Sequence, residues 1–441
     1  MLGWLRGLML LLVAATLDLT GAALARSAPV EASPFLEERA RQLPELIRGD
    51  IKAEEYFTPE FLVAVPFAQV RAISASILTE HGALPTFERL EPVDAISGRA
   101  FIGFARSTGM FQISIDPRQN GRVSGLLVTN FTTKNDSIAA ILDTLRALPG
   151  ETNLLVTRYD GDRTQEVVAH QADRALAMGS TFKLYILAEL AAQVQTGKLR
   201  WDSVTPLNRR SFSSAASGTW PQDAPVTLYT LASWMISVSD NGATDVLIDK
   251  LGRGAIGKRL ESIGNSTPDR TLPFLNTVEA FALKSPRNDA LRQQYLAASE
   301  AEQRRLLDSA ADQLTLAAID PSAFVGKPLY IDSIEWFGNA HDLARLLAHF
   351  RDPAQATARG VMAISPGVSA DAAKRWAYIG YKGGSESGVI SMSYLLQSRS
   401  GHWYTATASW NNKDAVVDNN RFIPLMHRLI DQLATDDAAI N

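Results

Sequence analysis

The sequence predicts an α+β protein of two domains, in which antiparallel sheets are covered by helices. The chain has 441 residues, more than a single small core accommodates. Hydrophobic residues make up 46% and charged residues 20%, as in ordinary globular proteins, which excludes a disordered chain and a multi-span membrane protein. In the second part of the chain, strand patterns stand at both ends of a helical region. This order predicts a sheet built from the two ends of that domain.

The N-terminus has the features of a secretory signal peptide. Arg6 precedes an apolar run from Gly7 to Leu17, which is too short to cross a bilayer as a helix. Residues 23–25, Ala-Leu-Ala, have the small residues of a cleavage site. We therefore expect residues 1–25 to be removed and the protein to be exported, periplasmic or secreted, without a stable membrane span. A retained N-terminal anchor is the alternative interpretation.

The first domain is predicted over residues 26–150 as an α+β unit. Ser33 is placed to cap an amphipathic helix. Alternating apolar and polar residues over 111–116 and a run of β-formers over 123–131 predict strands. A helical stripe follows and ends at Pro149-Gly150, where we place the domain boundary.

The second domain is predicted over residues 151–441. Strand patterns flank a turn at its start, helical patterns fill its middle, and strand patterns return before a last amphipathic helix. The predicted strands are at 153–159, after the turn up to residue 169, at 389–396 and at 403–410. Helices are predicted within 180–350, and a last helix at 422–433.

Charge and residue content exclude several classes of function. Lys and Arg together number 43 against 47 Asp and Glu, so the chain has no broad basic surface for nucleic acid. Cysteine is absent, which excludes disulfides, thiolate nucleophiles and Cys-ligated metals. The six histidines form no metal-binding pattern, and the chain contains neither a G-x-S-x-G elbow nor a phosphate loop. We expect a small-molecule substrate and neither cofactor nor metal.

Ser180 and Lys183 are the candidate nucleophile and base, because they form the only S-x-x-K pair in the chain. They stand after Gly179 at the start of an apolar helical stripe, and residues three apart share a helix face. The positive helix N-terminus and an enclosed site both disfavour the ammonium form, so Lys183 can act as a base. The Ser180 N–H points out of the helix start, as an oxyanion donor should. Taken alone, such a pair is more often a helix start with a solvated lysine.

Two further motifs follow in order. The S-D-N triplet 239–241 begins 59 residues after Ser180, and K-G-G-S occupies 382–385. This set resembles the S-x-x-K, S-D-N and K-[TS]-G motifs of class A β-lactamases and penicillin-binding proteins. The resemblance covers 151–441 and implies a β-lactamase-like domain, an antiparallel sheet covered by helices.

The resemblance implies a catalytic role for four residues. Ser180 would be the acylated nucleophile and Lys183 its base. Ser239 would pass a proton toward the leaving atom, and Lys382 would hold the Ser239 hydroxyl and a substrate carboxylate.

The resemblance also implies a binding role for residues beside the nucleophile. Asn241 would bond a substrate amide. The main-chain N–H groups of Ser180 and Ser385 would form the oxyanion hole. Gly384, which precedes Ser385, belongs to the same segment.

Three departures from the family pattern bear on function. Gly383 stands where the family has Thr or Ser, so one hydroxyl contact to a substrate carboxylate is missing. The 143-residue gap between Ser239 and Lys382 is long, with the excess near 287–319, which either caps the cleft or decorates the surface. Leu272 occupies the glutamate position of an R-x-E-P-x-L-N-like loop, and that glutamate is the accepted deacylation base.

The first domain, fused to a β-lactamase-like domain, is similar to the cone-shaped, steroid-isomerase-like domain of the serine hydrolase-like proteins of clavulanic-acid gene clusters.

The leading hypothesis is an exported serine hydrolase that acts through a Ser180 acyl-enzyme on β-lactams or related esters and amides. Leu272 predicts slow deacylation. The alternatives are a β-lactam- or peptidoglycan-binding module without efficient turnover and a D,D-peptidase.

Overall fold

The structure, a computed structural model, describes residues 31–134, 136–161 and 163–440. The chain divides into two units, 1–134 and 135–441. The predicted signal peptide, residues 1–25, lies outside the described residues. Within the described ranges no helix combines the length and hydropathy that a membrane span requires.

The first unit places its helices before its strands, as the sequence predicts. Ser33 caps the first helix by accepting a hydrogen bond from Leu36 N, and Gly49, in the left-handed conformation, ends it. The elements are α1 Pro34–Arg48, α2 Ala53–Tyr56, α3 Pro59–Ala64, α4 Phe67–His81, β1 Thr86–Pro92, β2 Ser97–Gly103, β3 Ser107–Asp116 and β4 Arg122–Thr133.

The strands of the first unit form an antiparallel sheet in the order β1-β2-β3-β4. The predicted alternation in β3 is confirmed: Phe111, Ile113 and Ile115 are buried, and Gln112 between them is exposed. These side chains share one core with the apolar face of α1. The likeness of this unit to a steroid-isomerase-like domain stays a prediction.

The second unit contains helices between strands of a larger sheet. Its elements up to the middle of the unit are α5 Ile138–Arg146, β5 Glu151–Asp160, β6 Arg163–His170, β7 Leu176–Ala177, α6 Lys183–Gln195, β8 Val204–Pro206, β9 Pro225–Thr227, α7 Leu228–Ser237, α8 Asn241–Leu251, α9 Arg253–Ile263 and α10 Thr277–Lys284. The remaining elements are α11 Asp289–Ala297, α12 Glu300–Ser309, β10 Phe337–Gly338, α13 Ala340–His349, α14 Ala356–Ala363, α15 Ala370–Ala373, β11 Tyr378–Glu386, β12 Val389–Gln397, β13 Trp403–Asn411 and α16 Asn419–Ile440.

The main sheet of the second unit joins the two ends of the domain, as predicted. Its strand order is β11-β12-β13-β5-β6, and every pair is antiparallel. The β13–β5 pairing runs from Trp403 opposite Tyr159 to Asn411 opposite Glu151. A large apolar core lies among the helices, and a second core contains sheet residues together with α5 and α16. The first core positions α6, which begins beside the candidate nucleophile.

The boundary between the units lies before α5, which corrects the predicted boundary at Pro149-Gly150. Ile141 and Leu145 of α5 are buried in the core that contains Leu429 of α16. Asp136 also accepts two hydrogen bonds from Arg428, at 2.8 and 2.7 Å. The Pro-Gly pair correctly marks the end of a helix, but a local stop signal does not reveal which core that helix joins.

We therefore predict that a fragment 135–441 folds on its own and that a fragment 150–441 is much less stable. The shorter fragment lacks the buried side chains Ile141, Leu142, Leu145 and Leu148. Each contributes about 1.5–3 kcal/mol when fully buried, and a domain has only about 5–15 kcal/mol of total stability. Thermal unfolding followed by circular dichroism measures the difference. Equal melting temperatures would place α5 outside the second core.

Candidate active site

Ser180 lies in a 3₁₀ turn, Gly179–Phe182, that leads directly into α6. The turn is fixed from the inside, because the Phe182 ring stacks on Trp336 with the ring centroids 3.7 Å apart. Gly179 has φ +46, a conformation that favours glycine. The nucleophile candidate is thus held at the start of a helix that is buried along almost its whole length.

Lys183 is fully buried, with 0% of its surface exposed, so it is not a solvated lysine. Its Nζ donates hydrogen bonds to Ser239 O at 2.6 Å, Ser239 Oγ at 3.1 Å and Asn241 Oδ1 at 2.6 Å. Burial lowers the pKa of Lys183 to about 7, although the charges of Asp245 and Asp240 act in the opposite direction. A substantial fraction of this amine is therefore neutral near pH 7 and able to accept a proton.

The S-D-N loop joins α7 to α8 and is anchored by Asp240. This buried carboxylate caps α8 by accepting from Ala243 N at 2.8 Å, and it accepts from Ser217 N at 2.8 Å and from Ala216 N at 2.7 Å. Ser239, the residue before it, has φ +57, a conformation that costs a non-glycine residue about 1 kcal/mol or more. Asp240 is a positioning residue for Ser239, a role that the sequence analysis did not assign.

Lys382 also contacts Ser239. Its side chain on β11 is buried, and its Nζ donates to Ser239 Oγ at 3.0 Å and to Gly383 O. Burial and the charge of Lys183 lower the pKa of Lys382 well below its ordinary value. An anion bound beside Lys382 would favour its charged form, so the amine is suited to a carboxylate ligand.

The backbone of β11 lies directly against the Ser180 turn. A Cβ on Gly384 would collide with Ser180 N and Met178 O, so only glycine permits this approach. A Cβ on Gly179 would lie 3.1 Å from Ser385 N. The main chains of Ser180 and Ser385 are therefore adjacent, the arrangement that two oxyanion donors require.

The predicted site residues come together at one cleft of about 630 Å³. Six of the seven line it, and Lys183 lies beneath their surface. The residues from the sequence prediction that line the cleft are Ser180, Ser239, Asn241, Lys382, Gly384 and Ser385. Asn241 is already engaged, since its Oδ1 accepts from Lys183 and its Nδ2 donates to Phe212 O at 2.7 Å. Its contact with a substrate amide stays a prediction.

Three phenylalanine rings that no motif marks also line this cleft. Phe212, Phe281 and Phe324 contact one another, with ring centroids 5.1 to 5.7 Å apart. Phe324 O accepts a hydrogen bond from Ser387 Oγ at 2.8 Å, which places this cluster beyond the C-terminal end of β11. The cluster gives that end of the cleft an apolar surface.

The long segment between Ser239 and Lys382 both decorates the fold and borders the cleft. Leu291 of α11 and Leu307 of α12 are buried in the helical core. Just after the excess at 287–319, Phe324 and Val325 line the cleft. The two helices thus pack on the helical core, and the residues that follow them line the cleft.

Leu272 does not line the cleft. Its side chain is 9% exposed and belongs to the helical core, where its Cδ2 lies 2.9 Å from the place of a Cβ on Gly257. Glu279, further along, is structural, because it closes a capping box with Asn276 and pairs with Arg253 at 2.5 Å. The loop therefore places no carboxylate on the cleft wall.

Glu386 is the one acid among the described residues that line the cleft. It accepts hydrogen bonds from the buried Lys284 at 2.7 and 2.9 Å, and Lys284 also pairs with Glu335 at 2.6 Å. Burial and the like charge of Glu335 raise the pKa of Glu386 to about 8. Its carboxyl group is thus committed to a buried cluster.

Within the described ranges, no group of three or more His, Asp or Glu side chains is placed to hold a metal ion. The polar groups of the cleft include hydroxyls, the Lys382 amine and main-chain N–H groups, which suit acyl transfer.

Comparisons with known proteins agree with the resemblance. Residues 135–316 match the model of the β-lactamase enzyme family. A search of curated proteins gave no significant match. Among solved structures, PBP-A is 14% identical over 68% of this chain and 95% of its own, with a TM-score of 0.45. A β-lactamase from Sphaerobacter thermophilus is 17% identical over 69% and 97%, with a TM-score of 0.47.

The family match begins where the second unit begins, at residue 135, and it includes both the S-x-x-K pair and the S-D-N triplet. It ends before the K-G-G-S motif, which the structure nevertheless brings to Ser239 through Lys382. The resemblance predicted from the three motifs is confirmed: the second unit has a β-lactamase-like fold.

Proposed function

We propose that this protein is an exported serine hydrolase that forms an acyl-enzyme on Ser180, with β-lactams or related esters and amides as substrates. The observation that carries the proposal is the position of Ser239 Oγ, 3.1 Å from Lys183 Nζ and 3.0 Å from Lys382 Nζ. Ser180 lines the same cleft. Export rests on the N-terminal sequence pattern alone.

In the proposed acylation step, neutral Lys183 takes the proton of Ser180 Oγ as this oxygen bonds to the substrate acyl carbon. The oxyanion that forms accepts hydrogen bonds from the N–H groups of Ser180 and Ser385. The bond to the leaving nitrogen or oxygen then breaks, and Ser239 delivers its proton to that atom while its oxygen takes up the proton that Lys183 accepted. Water later attacks the acyl carbon, which releases the acid and restores the Ser180 hydroxyl.

The two ends of the cleft differ in chemistry, which supports a bipolar substrate. Lys382 is the one basic side chain among the described residues that line it, and it suits a carboxylate. The cluster of Phe212, Phe281 and Phe324 suits an apolar acyl group. A β-lactam or ester with an apolar acyl group and an acidic leaving portion combines both.

We infer further that the acyl-enzyme is long-lived. Leu272 lies in the helical core, and Glu386, the acid on the described cleft wall, is bound by Lys284. A leucine neither accepts a proton nor orients water, and both carboxyl oxygens of Glu386 already accept hydrogen bonds from Lys284. This favours, as the second candidate function, a β-lactam- or peptidoglycan-recognising module that turns over slowly.

The first prediction concerns the nucleophile. A reactive β-lactam or activated ester should add its acyl mass to Ser180, and Ser180→Ala should abolish the adduct. Intact-mass spectrometry with peptide mapping measures both. Ser213→Ala is the matched control, since Ser213 lines the same cleft outside the motifs and its variant should label like the natural protein. Labelling of Ser180→Ala would refute the assignment.

The second prediction concerns the base. Because burial lowers the pKa of Lys183 to about 7, its neutral form increases as the pH rises through that value. The acylation rate should rise with pH over the same range. Lys183→Ala should slow acylation by roughly 10²–10⁴, the usual contribution of a positioned general base. A variant that acylates at the natural rate, with the same pH profile, would place the base elsewhere.

The third prediction concerns deacylation. Stopped-flow kinetics should show a burst of product followed by a slow steady state, with the Ser180 adduct visible by mass spectrometry throughout. Glu386→Gln should leave the adduct lifetime unchanged, because its carboxyl group is bound by Lys284. A lengthened lifetime in this variant would identify Glu386 as the base for water. Rapid, burst-free hydrolysis of penicillins would contradict the slow step itself.

A further inference from the structure

The space beside Gly383 is filled by the hydroxyl of another residue. Gly383 stands where the family motif has Thr or Ser. A Cβ placed on Gly383 would collide with Tyr381 Oη and would lie 2.8 Å from Tyr381 Cζ. Tyr381 and Gly383 are two positions apart on β11, so they share a face of the sheet. The missing motif hydroxyl is thus replaced in space by a phenol from the same strand.

The ring that carries this hydroxyl is fixed on both sides. Tyr394 lies directly opposite Tyr381 on β12, and the two ring centroids are 4.7 Å apart. On the other side, a Cβ on Gly367 would lie 2.5 Å from Tyr381 Cδ1. Gly367 is itself held, because its carbonyl oxygen accepts from Tyr394 Oη at 3.0 Å and His427 Nε2 at 2.8 Å. The hydroxyl position is therefore preorganised.

The hydroxyl is also available to a ligand. Tyr381 lines the cleft together with Ser239, Lys382 and Ser385. Burial raises the pKa of Tyr381 to about 12. Among the described residues, no hydrogen bond to its hydroxyl contributes to this shift. The phenol therefore stays protonated over the working pH range and can donate a hydrogen bond.

We propose that Tyr381 Oη is a specificity-determining donor that binds the carboxylate of anionic substrates beside Lys382. This inference rests on the proposed Ser180 acyl transfer and specifies its substrate class: acyl donors with an acidic group on the leaving side. Lys382 supplies the charge, and the phenol supplies the directed hydrogen bond that Gly383 lacks. A hydrogen bond to a charged group corresponds to about a ten- to hundredfold change in binding.

The test uses two activated esters that are identical except that one has a carboxylate and the other a carboxamide on the leaving portion. Tyr381→Phe keeps the ring and its packing and removes only the hydroxyl. We expect KM for the carboxylate ester to rise about ten- to hundredfold. We expect KM for the carboxamide ester, kcat for both esters and the melting temperature to stay unchanged.

A rescue variant makes the test specific to the hydroxyl. Gly383→Thr alone should be disruptive, because its Cβ collides with Tyr381 Oη. Tyr381→Ala opens that space and should lose the preference for the carboxylate ester. The double variant Tyr381→Ala/Gly383→Thr returns a hydroxyl to the motif position and should recover part of the preference.

The outcomes distinguish a failure of the Tyr381 assignment from a failure of the proposed Ser180 acylation. An equal effect of Tyr381→Phe on both esters, or none on either, would overturn the assignment of Tyr381 while Ser180 acylation stands. A double variant no more selective than Tyr381→Ala would count against it as well. If neither ester acylates Ser180 in the natural protein, the proposed function fails, and this inference fails with it.

Discussion

Two buried lysine side chains share one hydroxyl, Ser239 Oγ, and the rest of the site depends on this contact. Burying two amines is expensive unless they are hydrogen-bonded and at least one is neutral. Lys183 Nζ has three acceptors within hydrogen-bond distance, and burial lowers the pKa of both lysines, which favours their neutral forms. The left-handed conformation of Ser239, stabilised by the anchored Asp240, presents the hydroxyl between them. The groups proposed for proton transfer and for anion binding thus meet at one oxygen.

The sequence predicts which motif residues come together, because each motif is a short local pattern attached to a rigid element. Ser180 and Lys183 are about one helical turn apart, so local geometry places them on one face. The contact of Lys382 with Ser239 was expected only from the family resemblance. The sheet that joins both ends of the domain was predictable for a similar reason. Its strands have unambiguous patterns, as the alternation around Trp410 shows.

What the sequence could not predict depends on contacts between distant residues. A stop signal at Pro149 reveals the end of α5 but not that Ile141 packs beside α16. The aromatic surface of the cleft needs Phe324, which no periodicity distinguishes from a loop residue. The replacement of a motif hydroxyl by Tyr381 is visible only once the rotamer of its ring is known. Side-chain direction, rather than element type, is the information that was missing.

The proposed acylation requires a Lys183 whose pKa burial lowers to about 7. The most direct test is nuclear magnetic resonance of the full-length protein labelled with ¹³C- and ¹⁵N-lysine, titrated over pH, with the Lys183 signal assigned by its loss in Lys183→Ala. We expect the Lys183 side chain to titrate near pH 7, because burial lowers its pKa to about 7. A Lys183 signal that titrates near the ordinary lysine value of about 10.4 would contradict it.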